Sequence, residues 1–126
     1  MNALHTYDYA YIRVTPRPET EEFLNAGVIL FCRTRRFLGV RLCLDRARLA
    51  ALAPEMDAGE VQRHLDAIER VVAGEGPIGA LERAEVFHWL VAPYSTVIQS
   101  SPVHSGLCAD PSAALDALAA RMPLTT

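Results

Sequence analysis

A chain of 126 residues, 51% of them hydrophobic, has the size of one domain and enough apolar side chains to supply its own core. Fifteen acidic and twelve basic residues leave a net charge of −3, too near balance for a phosphate backbone or an anionic membrane to be the main partner. Every one of those basic residues is arginine, which excludes chemistry that needs a lysine amine, Schiff-base formation included.

Tyr7 to Val14, YDYAYIRV, is rich in aromatic and β-branched residues. It predicts a strand with Ala10, Ile12 and Val14 on one face and Tyr9, Tyr11 and Arg13 on the other. Pro16 and Pro18 break it, and the acidic stretch Glu19 to Glu22 leads through Asn25 into AGVILFC, an apolar run typical of a central strand. After Arg33 to Arg36 the apolar alternation of Phe37 to Leu44 predicts the second arm of an antiparallel hairpin.

Asp45 is placed to cap a short helix stopped by Pro54, with Leu44 and Leu49 as its hydrophobic staple. Asp57 with Glu60 opens a second helix, on which Val61, Leu65, Ile68 and Val72 recur at helical spacing until Gly74. Gly74 to Gly79 predicts a turn around Pro77; the segment GEGPIG has no lysine and follows a helix, so it is not a phosphate loop. Leu81 to Val91 fits both helix and buried strand, and a helix with Leu81, Ala84, His88 and Val91 on one face is favoured. Thr96 to Gln99 predicts a further strand and Ser100 to Ala109 a loop. Asp110 and Pro111 open a last helix, with Leu115, Leu118 and Met122 inward and Pro123 closing it.

Three strands, three helices, one strand and one helix do not alternate as βαβ units. The expected fold is a single α+β domain, a small mainly antiparallel sheet of about four strands with about four helices packed on it, and with the helices on one face. Cys32, Cys43 and Cys108 form an odd set, and no basic and apolar leader lies between Met1 and His5, so reduced thiols and a cytoplasmic location are expected. The longest apolar runs fall far short of the ~20 residues that a membrane span needs.

Chemistry-bearing side chains concentrate between Phe87 and Cys108, where Ser95, Thr96, Gln99, His104 and Cys108 stand beside a scaffold as ligand-binding groups do. The plainer reading is that the serines and threonines close turns around Pro93 and Pro102. His104 and Cys108 could belong to a metal shell completed by His88, Asp110 or Cys43, or pair as base and thiolate, but no Cys-x-x-Cys supports a metal and none is expected. Cys32 and Cys43 read as small buried hydrophobes, and Trp89 as a core anchor. Arg13, inside an apolar strand, needs a carboxylate such as Glu21 or Glu22 if it faces inward. Arg33, Arg35 and Arg36 make a cationic hairpin tip able to hold phosphate or carboxylate, or simply a solvated turn.

The segments YDYAYIRVTPRPETEEFLNAGVILFC, FLGVRLCLD and FHWLVAPYSTVIQSSPVHSGLCADP, taken together and in this order, resemble the bacterial family called domain of unknown function 3037. The resemblance implies no reaction, cofactor or catalytic residue. Some members of that family lie beside genes for kinases resembling the toxin kinase of persistence modules, which implies an accessory or binding role. The residues that match the family pattern and bear on a site are Arg13, Glu22, Asn25, Gly27, Ser95, Thr96, Gln99, His104 and Gly106.

The resulting expectation is a non-enzymatic binding or accessory module without a cofactor. It acts through protein association, as a homodimer or with a kinase-like partner, and not on a membrane or, by preference, a nucleic acid. The rival expectation is a small enzyme or ligand-binding protein with a polar pocket around Gln99, His104 and Cys108, lined also by Arg13, Glu22, Asn25, Ser95 and Thr96.

Overall fold

The computed structural model describes residues 3–92 and 97–123. Strands β1 (His5–Val14), β2 (Leu24–Cys32) and β3 (Phe37–Leu42) are followed by helices α1 (Arg46–Leu52), α2 (Ala58–Val72), the single turn α3 (Gly76–Gly79) and α4 (Arg83–Val91). Strands β4 (Ile98–Ser100) and β5 (His104–Cys108) then precede α5 (Pro111–Arg121). The fold is α+β, and all strand pairings are antiparallel.

The sheet runs β3-β2-β1, and its outer column is shared by β4 and β5, which pair with the two halves of β1. Strand β5 lies where the sequence predicts a loop. HSGLC has little intrinsic strand preference, and it is the pairing of Tyr9 with His104 through His5 with Cys108 that makes it a strand. Ser101 joins the two short strands: its Oγ accepts from the Tyr11 N–H at 2.8 Å and donates to the Pro102 carbonyl at 2.8 Å. Its own N–H donates to the Tyr11 carbonyl at 2.8 Å, so the chain crosses the break with its backbone groups satisfied.

A bulge decides which side chains of β2 face which way. Ile12 pairs with Gly27 but Arg13 pairs with Asn25, leaving Ala26 as the extra residue. Leu24 and Ala26 therefore join Ile29 and Phe31 on one face, while Val28, Leu30 and Cys32 face the other. Because β2 is buried on both faces, it reads as a continuous apolar run. A Cβ on Gly27 would stand 2.7 Å from the Leu42 side chain and 2.8 Å from the Arg41 carbonyl oxygen, so only glycine lets β3 close on the bulge.

Helices cover both faces, which corrects the expectation of a one-faced sheet. Leu49 of α1, Val61, Leu65 and Ile68 of α2, and Val86 and Phe87 of α4 pack with Ala10, Ile12 and Val14 of β1. On the opposite face Leu115 and Leu118 of α5 pack on Val28, Leu30 and Cys32. Each such leucine or isoleucine, taken from water, contributes about 1.5–3 kcal/mol. The caps follow the sequence: Asp45, Asp57 and Asp110 each accept a hydrogen bond from a first-turn N–H of the helix they open.

Segment 83–91 is helical as favoured, and Ala84 and Val91 of the predicted face pack against the core, but its most buried positions are others. Val86 and Phe87 are buried, whereas Leu81, His88 and Trp89 are exposed. Phe87 is the anchor that Trp89 was expected to be; it stacks on Phe31 at 5.7 Å, while Trp89 is 52% exposed. Among the described residues no helix is long and apolar enough to cross a membrane.

Candidate functional site

Strand register brings Arg13 between Asn25 on one side and Gln99 on the other. All three belong to the face that carries α5, since their neighbours Val14, Leu24 and Ile98 point into the opposite core. Three of the residues singled out in the sequence thus form one row across three strands, at the end of the sheet where the bulge lies.

Asn25 is wholly buried, and its Nδ2 donates to the Pro123 carbonyl at 2.9 Å, tying the end of α5 to the sheet. Its Oδ1 is buried with no hydrogen-bond partner among the described residues. The Arg13 guanidinium lies over the Phe23 ring, 4.0 Å from its centroid, a contact that suits a partly desolvated cation. Burial pushes the Arg13 pKa below its usual value. Glu21 and Glu22, the carboxylates expected near it, lie exposed just ahead of β2.

Along the same face Tyr7, Tyr9 and Tyr11 form a partly buried ladder, with ring centroids 5.8 Å and 6.1 Å apart. His104 is exposed and packs on Tyr9 at 5.4 Å, so it sits on the open side of this ladder. Gly106 lies opposite Tyr7, and a Cβ there would meet the Tyr7 ring at 2.6 Å; the missing side chain is what lets the ring lie across β5. Burial raises the Tyr7 pKa, with the neighbouring Tyr9 adding to the effect.

Cys108 is buried at the far end of β5, opposite His5. Burial raises its pKa, and the Cys32 thiol raises it further, which is the reverse of what a thiolate nucleophile requires. His104 and Cys108 stand at opposite ends of the five-residue strand. Cys32 is buried as predicted, but Cys43 is exposed beyond the end of β3. Among the described residues no three His, Cys, Asp or Glu side chains gather as a metal shell would require. Ser95 and Thr96 lie outside the described residues.

Ser101, only 4% exposed, closes the turn beside Pro102, as the plainer reading of these serines has it, and in doing so joins β4 to β5. The sequence reading missed the outer side of β5. That strand bears no charged residue, and around it Leu4 and Leu107 are each 65% exposed and Val103 46%. An uncharged edge beside exposed leucines lacks the devices by which edge strands avoid pairing.

Comparison with the curated proteins and with the solved structures gives no match. A family model described as "Protein of unknown function (DUF3037)" matches residues 9–122. That match spans all five strands but for the first residues of β1, and α5 to its end, and on it the chain belongs to the DUF3037 family.

Proposed function

We propose that this chain is a binding or accessory module that acts by association, through the outer edge of β5. The observation that carries this reading is the uncharged strand His104–Cys108 with Leu4 and Leu107 both 65% exposed beside it. An extended segment added there would gain main-chain hydrogen bonds along the strand and cover the leucines. A second copy is the simplest occupant, because antiparallel pairing of β5 with β5 about a two-fold axis presents the same residues from both sides. The kinase-like partner that the family resemblance implies would use the same edge by adding a strand of its own.

The rival reading, a ligand pocket on the tyrosine face around Gln99, His104 and Cys108, draws its support from the buried Asn25 Oδ1. Native mass spectrometry of the protein purified from its own host distinguishes the two. A dimer that becomes a monomer on Leu107→Glu supports association through β5. A monomer at every concentration that carries a retained small molecule, lost on Asn25→Leu, replaces it with the ligand reading.

A further inference from the structure

The hairpin between β2 and β3 is exposed at its tip, Arg33 to Arg36, yet it is more than a plain turn. Its arginines divide. Arg35 donates to the Ala109 carbonyl at 3.1 Å and so holds the hairpin to the start of α5. Arg33 and Arg36 instead line a cleft of about 430 Å³ together with Phe31, Glu82, Arg83 and Ala84. That volume is within the range of small-ligand sites.

Five features of this cleft favour an anion. Three arginines and one glutamate line it, and among the described residues none of Arg33, Arg36 and Arg83 forms an ion pair with a carboxylate. Arg33 also lies over the Phe31 ring, 5.7 Å from its centroid, which restrains the side chain on the cleft floor. Arg83 is the first residue of α4, where the helix already presents positive potential and a cation is normally disfavoured. The Glu82 side chain makes no capping hydrogen bond, so it does not occupy the first-turn N–H groups beside Ala84. Finally, Arg36 has φ 49°, a left-handed backbone that usually falls to glycine or asparagine, and the turn keeps an arginine there.

We infer that the cleft formed by Arg33, Arg36 and Arg83 with the start of α4 is a binding site for a small phosphorylated molecule. Planar guanidinium donors match the oxygens of a phosphate or diphosphate, and Phe31 offers an apolar floor. A small ligand fits better than a nucleic acid because the chain carries a net charge of −3 and the three arginines converge on one cleft. No residue of β5 lines this cleft, and the inference does not depend on the association reading.

The test is calorimetric titration of the full chain with inorganic pyrophosphate, with a short single-stranded oligonucleotide as a second titrant. Arg83→Gln and Arg36→Gly are each expected to weaken pyrophosphate binding about tenfold, the loss of a charge-assisted hydrogen bond pair. Arg36→Gly suits its left-handed backbone and so keeps the fold. Glu82→Gln, which removes the one carboxylate, is expected to tighten binding, and Arg46→Ala with Arg48→Ala on the remote helix α1 to leave it unchanged. The inference is overturned if pyrophosphate does not bind, or if the α1 pair weakens binding as much as the cleft variants. It is overturned equally if the oligonucleotide binds more tightly through the same arginines.

Discussion

Gly106 shows how a single position can be legible as a pattern and opaque as a cause. It is one of the residues on which the resemblance was drawn, yet only the pairing of β5 with β1 shows that the Tyr7 ring occupies the space its side chain would take. Gly106→Ala must displace that ring and, with it, the start of the tyrosine ladder. We expect it to cost about 1–3 kcal/mol, as overpacking does, read as a lowered urea midpoint without loss of slope. The polar row is similar. Arg13, Asn25 and Gln99 were recognisable as candidates from residue type and position, but their adjacency follows from the bulge at Ala26, which no periodicity announces. The thiol of Cys108 ran the other way: proximity to His104 in sequence suggested a reactive pair, and burial instead keeps the thiol protonated.

At the scale of elements, the capped helices were the clearest. Asp57 accepts from the N–H groups of Gly59 and Glu60 at 2.9 Å and 3.3 Å, and the buried positions Val61, Leu65 and Ile68 follow at helical spacing. Asp57→Ala is expected to lower stability by about 1 kcal/mol, seen as a drop in Tm, with Asp57→Ser recovering most of it. Strand β2 was legible as central because both of its faces are covered. What could not be read was the placement of α5 on the second face, since an amphipathic helix does not say which side of a sheet it will cover. Strand β5 was hidden for a different reason. His, Ser and Gly carry no strand preference, so its state depends on a partner nearly a hundred residues away, as in the bond from Ser105 Oγ to Asp8 Oδ1 at 2.7 Å.

Across the whole molecule, the sheet with helices on both faces leaves its two edges in different conditions. At one edge β3 carries Arg41, which pairs with Asp116 of α5 at 2.9 Å, so a charge and a helix stand beside that strand. At the other, β5 bears no charged residue of its own, and the nearby Asp8 carboxylate of β1 is engaged by the Ser105 hydroxyl. Composition foretold a domain with its own core and a nearly balanced charge, but the asymmetry of the edges emerges only from strand order. The association reading rests on that asymmetry. Hydrogen exchange of the β5 amides, followed from dilute to concentrated protein over about two decades, tests it most directly, because pairing by mass action protects the edge only when it is occupied. Protection at His104 to Cys108 is predicted to rise with concentration and to be lost in Leu107→Glu, while the β2 amides stay equally slow throughout. Exchange at β5 that is fast and independent of concentration, with and without the substitution, would contradict it.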